Sequence, residues 1–190
     1  MLLCTPCQAV SDCVLLGASG EMSDFTYIQT LLEELTTADV CAEDGHQVSP
    51  SDVFQYLTRV LYNRRNKFDP LWNSLVVGGV DRVTGESFLG TVGMIGTHYT
   101  DAHVATGFGA HLARPIFREK HREDMGEGEA RALLEEALRV CYYRDKNSIN
   151  KFQVATVTKK GTAISQPFAL ATEWSLQAYQ NPSGTTPGTW

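Results

Sequence analysis

Helix patterns arrive in pairs along this chain, with groups of strand patterns between the pairs, and that order constrains the fold more than any other feature. Ile28, Leu31, Leu32 and Leu35 recur at i, i+3, i+4 and i+7, one face of a helix over about 22–38, with Ser19 or Ser23 available to cap it. After a polar loop at 39–48 comes Ser49-Pro50-Ser51-Asp52: a capping serine, proline in the first helical position, an acid in the first turn. Val53, Leu57, Val60, Leu61 and Arg64 share one stripe of this second helix. Its bases, Arg59, Arg64, Arg65 and Lys67, gather in the second half, where they suit the negative end of the dipole. The second pair is Ala110–His121, broken or begun near Pro115, and a helix at about 127–144 with Leu133, Leu134, Ala137, Leu138 and Cys141 on one face.

Between the pairs lie apolar and glycine-rich runs that read as strands. Residues 13–17 (CVLLG) form the first, then Leu75–Val80 and Ser87–Ile95 flank a turn at Thr84-Gly85. Residues 103–107 (HVATG) predict another short strand, and Phe152–Thr158 pairs with about 162–166 across Lys159-Lys160-Gly161. A doubly wound sheet needs strict alternation of strand and helix. Paired helices between groups of strands predict layered α+β instead.

With 190 residues the chain is the size of one domain and can bury a core without staples. Acids outnumber bases 22 to 16, for a formal net charge of −6, which disfavours a nucleic-acid platform. Residues 1–58 carry no Lys or Arg at all, so the amino-terminal end matches neither a secretory signal nor a mitochondrial presequence. No run approaches the length of a membrane-spanning helix. Five cysteines, an odd number in a chain of this size, predict a reducing compartment: cytosol, nucleus or both.

Several constellations admit two readings each. Cys4-Thr5-Pro6-Cys7 has the spacing of a redox pair or half a zinc site, yet it does not open a helix, and only Cys13 lies near. Chance or local packing accounts for it better than a functional pair does. His98, His103 and His111 are separated by five and eight residues, which fits no common metal spacing on a helix face. Gly17-Ala18-Ser19-Gly20-Glu21 lacks the second glycine of a nucleophile elbow, and Gly107-Phe108-Gly109 lacks the third glycine of a dinucleotide fingerprint. Asp145 and Ser148 could serve proton chemistry or simply end a helix. Arg64 and Arg65 read as a solvated helix end or as a partner contact. No cofactor or metal is expected.

Longer stretches carry a resemblance. Leu16-Gly17-Ala18-Ser19-Gly20 with Asp24, then Asn63–Asn73 (NRRNKFDPLWN), resembles a beta-type subunit of the 20S proteasome. Gly85–Gly90 (GESFLG), Ala105–Gly109 (ATGFG), Tyr142-Tyr143-Arg144-Asp145 and Phe152–Thr158 extend the match from about 13 to 179. The arginine pair with Pro70-Leu71-Trp72-Asn73, and the Gly-Glu-Ser stretch, are similar to the seventh, non-catalytic beta position. The resemblance implies α+β architecture, a four-layer αββα sandwich of the N-terminal-nucleophile hydrolase type lacking its first strand hairpin. It assigns 1–180 to the family domain, truncated at its amino end, and 181–190 to an extended tail.

Active members of this family use an N-terminal threonine whose amine acts as base. By resemblance that threonine and an early aspartate would precede Met1, the site lysine falls near Pro6, and the site serine is replaced by Phe108. Only Asp145 and Ser148 match the catalytic pattern. The implied role is a non-catalytic ring subunit, partnered by other alpha and beta subunits in stacked seven-membered rings of the ubiquitin-dependent degradation machinery. Pro182, Gly184, Pro187 and Gly188 predict that the tail extends away from its domain, and Trp190 offers an aromatic anchor for a neighbour. Two alternatives remain: an active threonine peptidase whose nucleophile lies outside this sequence, and a small thiol or zinc protein built on Cys4 and Cys7.

Overall fold

Val14-Leu15-Leu16-Gly17-Ala18 is buried on both faces, which places the strand that carries it between two layers of the molecule. The computed structural model describes residues 2–3, 7–43, 45, 47–176 and 180. In chain order the elements are β1 (Leu2–Leu3), β2 (Cys7–Ser11), β3 (Val14–Gly20), α1 (Met22–Ala42), α2 (Pro50–Asn66), β4 (Asn73–Val80), β5 (Ser87–Val92) and β6 (His98–Thr100). They continue with α3 (Gly109–Lys120), α4 (Glu127–Arg144), β7 (Val154–Thr158) and β8 (Gly161–Ile164).

Strands β2-β3-β4-β5-β6 form one antiparallel sheet in that spatial order, and β1-β7-β8 form a second. The central pairing runs from Val14↔Gly79 to Gly20↔Asn73, and its period of two sorts the side chains. Val14, Leu16, Ala18, Leu75 and Val77 face α1 and α2 and join Phe25, Ile28, Leu32, Val53, Leu57 and Leu61 in the main core. Leu15 and Val76 point the other way and meet Ala155 of the small sheet. Glycine at 79 and 90 admits the neighbouring layer: a Cβ at Gly79 would stand 2.4 Å from Pro50, and one at Gly90 would stand 2.6 Å from the Phe54 ring.

Helix α2 starts as its sequence predicts. Ser49 is the N-cap, its side chain accepts from the Asp52 N–H, and the Asp52 carboxylate returns to the Ser49 N–H, closing a capping box. Helix α1 does not: its cap is Glu21, whose carboxylate accepts from Ser23 N–H, rather than Ser19 or Ser23. Ser19 is still in strand, with its hydroxyl on Thr106 and on the Ser74 carbonyl.

Three more differences from the sequence reading have local causes. Residues 103–107 are not a strand; the third hairpin partner is His98-Tyr99-Thr100, brought back onto β5 by a turn in which Gly93 N–H donates to Thr97 O. That turn also ends β5 at Val92 instead of Ile95. Strand β2, at an edge ahead of the first predicted strand, pairs with β3 from Cys7↔Gly17 to Ser11↔Val14 through an irregular register, which blurs its alternation. Pro115 sits inside α3, which runs through it.

The α3–α4 pair covers the second face of the large sheet beside the small one. Ala113, Phe117, Leu133 and Ala137 pack the two helices together. A strap after β8 fastens α4: Arg139 donates to the Ala171 carbonyl, Asn150 exchanges two hydrogen bonds with Leu170, and Tyr143 accepts from Glu173 N–H. Helix pairs thus enclose two antiparallel sheets, the α+β layering that the order of elements predicts. Residues 181–190, for which the sequence predicts an extended tail ending in Trp190, lie outside the described residues.

Candidate functional site

The residues that the resemblance assigns to a catalytic centre sit at the start of α3 and the end of α4. Gly107, at φ +60°, turns the chain into α3, and Phe108 occupies the N-cap without a side-chain cap. Its carbonyl accepts from His111 and Leu112, and its ring is 62% exposed. A phenyl ring there can neither accept nor donate a proton.

At the end of α4, Asp145 N–H closes the helix on the Cys141 carbonyl at 2.9 Å, and the Asp145 carboxylate accepts from Asn147 N–H at 2.9 Å. Ser148 donates its hydroxyl to the Asp145 carbonyl at 2.6 Å and lies 3.3 Å from the Tyr142 carbonyl. Both side chains are spent on ending the helix and turning the chain toward β7. These hydrogen bonds follow the local grammar of Asx and Ser turns.

Behind these ends lies a cavity of about 390 Å³ between the large sheet and the α3–α4 pair. Val76 and Leu89 form its floor, and Phe117, Leu133, Leu134 and Leu138 form its roof. The polar groups on its wall are poor reagents. Burial raises the pKa of the Cys141 thiol, and the Asp145 carboxylate raises it further, which keeps sulfur in its unreactive form. His103 lies with its ring 5.8 Å from that of His121 and 6.0 Å from Phe117, and its buried Nδ1 has no partner among the described residues. Thr106 is engaged by Ser19. The cavity suits an apolar guest and offers no activated nucleophile among the described residues.

The other sequence candidates are dispersed. His98 meets the Phe54 ring edge to face at 5.7 Å and does not line the cavity that His103 lines, and His111 is exposed. Among the described residues no cluster of three His, Cys, Asp or Glu could hold a metal ion. Cys7 is disulfide-bonded, whereas Cys13, Cys41 and Cys141 are free. Cys4 and Pro6 lie outside the described residues.

Arg64 is held inside its own chain: its guanidinium meets the Asp69 carboxylate at 2.9 Å, its Nε donates to the Asp69 carbonyl, and it covers the Tyr27 ring at 5.3 Å. Arg65 stays exposed. Sequence reasoning missed the buried Asn73, whose amide donates to the Ser19 and Glu21 carbonyls and so ties β4 to the entry of α1. Its place in the Pro70–Asn73 stretch was the available signal. The cavity itself has no sequence signal, since its wall is drawn from segments far apart in the chain.

Known proteins give the same architecture a family. The pattern for the family described as proteasome subunit matches residues 6–157. Proteasome subunit beta type-4 of Arabidopsis thaliana is 49% identical over 183 residues, which is 96% of this chain and 74% of that protein. Proteasome subunit beta type-4 of Xenopus laevis is 40% identical over 88% of this chain and 69% of its own length. A probable proteasome subunit beta type-7 of Schizosaccharomyces pombe is 39% identical over 93% of this chain and 69% of its own length. A match of this extent, running through both helix pairs and the sheets between them, makes the chain a member of the proteasome subunit family.

Proposed function

We propose that this chain is a non-catalytic beta subunit of the proteasome core, a piece of the particle's wall that does no peptide cleavage itself. Phe108 carries the reading: at the position the family resemblance gives to a site serine there is an exposed phenyl ring. Asp145 and Ser148 keep the family pattern, but their hydrogen bonds serve the end of α4. The beta type-4 relatives support the same assignment. In this reading the chain takes its place among other alpha and beta subunits in stacked seven-membered rings, works in ubiquitin-dependent protein degradation, and resides in cytosol and nucleus. Its carboxyl-terminal residues, Trp190 at their end, reach a neighbouring subunit.

A peptidase assay tests the central point. Purified chain, freed of host proteasome, is offered fluorogenic peptides with acidic, basic and hydrophobic residues before the scissile bond. No turnover above buffer is expected. Turnover abolished by a threonine-directed inhibitor would overturn the non-catalytic reading.

A further inference from the structure

The loop from α2 to β4 holds two aromatic rings in water: Phe68 is 87% exposed and Trp72 is 64% exposed. Mobility does not explain them, because the loop is tied at almost every residue. Lys67, Phe68 and Asp69 N–H donate to the carbonyls of Asn63, Arg65 and Arg64 at 3.0 to 3.1 Å. Arg64 clasps Asp69 through both its side chain and its carbonyl. Trp72 N–H donates to the Asp24 carboxylate at 2.9 Å, and the Trp72 carbonyl accepts from Glu21 N–H. Leu71, between the two rings, is buried in the main core and pins the loop from below.

Phe68 also sits at φ +56°, a left-handed conformation that costs a residue with a Cβ on the order of 1 kcal/mol. The fold therefore accepts strain to hold a ring that contributes nothing to its core. A rigid loop that presents aromatic side chains outward is already in a binding-ready conformation, and Trp and other large aromatics dominate the energy of protein contacts.

We propose that Phe68 and Trp72 anchor a contact with another proteasome subunit, whose surface offers an apolar socket rimmed by carboxylates. This rests on the beta-subunit reading. The carboxylates follow from Arg65 and Lys67, which flank the rings, are exposed, and have no ion-pair partner among the described residues. Arg64 positions the loop and does not touch the partner. An anionic membrane would also suit aromatics beside bases, but two free bases on a chain of net charge −6 give such a surface little long-range pull. A fitted protein socket uses the rigidity that a membrane would not need.

The test compares the tagged chain with Phe68→Gly/Trp72→Ser and with Arg65→Glu/Lys67→Glu, each expressed in cells of the source organism. The readout is the fraction of tagged chain in particles of proteasome size, with the other family subunits identified by mass spectrometry. Purified chains are melted alongside. Glycine at 68 removes the ring and relieves the backbone, so the melting temperature should hold or rise while incorporation falls about tenfold or more. The charge reversal should reduce incorporation several-fold. Normal incorporation of both variants would overturn the contact and leave the beta-subunit reading standing. A drop in melting temperature for the aromatic pair would show that the rings serve the fold. Wild-type chain that stays outside the particle would defeat the beta-subunit reading and this contact with it. Binding of wild-type chain to phosphatidylserine vesicles, lost in the aromatic pair while incorporation is unchanged, would reassign the surface to a membrane.

Discussion

The two helix pairs cover the same sheet and are packed in opposite ways. On the α1–α2 side, Phe25, Ile28, Leu57, Leu61, Leu75 and Val77 are all at most 1% exposed and belong to one continuous core. On the α3–α4 side, the helices share a buried cluster of just Ala113, Phe117, Leu133 and Ala137 among the described residues, and a cavity of about 390 Å³ separates the helices from the sheet. The difference is one of residue size and of layers. The first pair presents Leu, Ile and Phe to a sheet face of Leu and Val. The second presents alanines and half-buried leucines to a face that the three-stranded sheet covers only in part. Stability therefore resides on the closed side, and the open side has room to change.

The largest consequence is for large-to-small substitutions. Leu57→Ala and Leu133→Ala delete the same atoms, but Leu57 is 0% exposed inside the closed core and Leu133 lines the cavity. Such changes cost about 2–5 kcal/mol, more where the surrounding atoms cannot relax. Leu57→Ala should fall at the upper end and Leu133→Ala at the lower, read as urea midpoints on purified chain. Equal losses, or a greater loss at Leu133, would break the contrast.

Small-to-large substitution should sharpen it with opposite signs. A Cβ at Gly90 would lie 2.6 Å from the Phe54 ring, so Gly90→Ala should destabilise by roughly 1–3 kcal/mol through overpacking. At Gly109, the first residue of α3, the added Cβ would meet Ala105 at 3.5 Å, an ordinary contact. Gly109→Ala should therefore leave stability unchanged or raise it by about 0.5–1 kcal/mol, the usual gain from replacing glycine in a helix. Thermal melts of the two variants decide the matter. A loss at Gly109 comparable to that at Gly90 would mean that the open side is as tightly fitted as the closed one.

The closed side was also the legible side. Ser49-Pro50-Ser51-Asp52 specifies α2 by local rules, and the stripe from Val53 to Leu61 names the core that it fills. The span of α4 was readable for the same reason, because its apolar residues keep one period from Ala130 to Cys141. Legibility failed where distant segments decide. Residues 103–107 carry strand-like Val104 and Thr106, but β5 takes His98–Thr100 as its partner instead, once Gly93 and Gly96 have turned the chain. Serine is the commoner cap, yet Ser19 is held in β3 by its pairing with Ser74, so Glu21 caps α1. For the site, Asp145 and Ser148 could be named from sequence as a helix end, while the meaning of Phe108 came only through family resemblance. The cavity was invisible because no single segment contains it.

The smallest predicted effect uses the three cysteines that are free among the described residues as reporters on the two sides. Cys41 is exposed near the end of α1, Cys141 is half-buried on the cavity wall, and Cys13 is 6% exposed in the closed core. Thiolate is the species that reacts, so rate depends on access and on pKa together. Cys141 has partial access through the cavity, but burial first and the Asp145 carboxylate second raise its pKa and deplete its thiolate near neutral pH. With a small alkylating agent at pH 8, followed by peptide mass spectrometry, the order should be Cys41, then Cys141, then Cys13. Because the Cys141 pKa lies above the ordinary thiol value, its rate should go on rising as pH increases past that value. Asp145→Asn removes the secondary cause and keeps the Asn147 N–H acceptor, so it should speed Cys141 a few-fold while burial still holds it below Cys41. The comparison with Cys13 is the sharper one. If Cys13 reacts as fast as Cys141, the α1–α2 layer opens as readily as the α3–α4 layer, and the contrast between the two sides is static shape without consequence for dynamics.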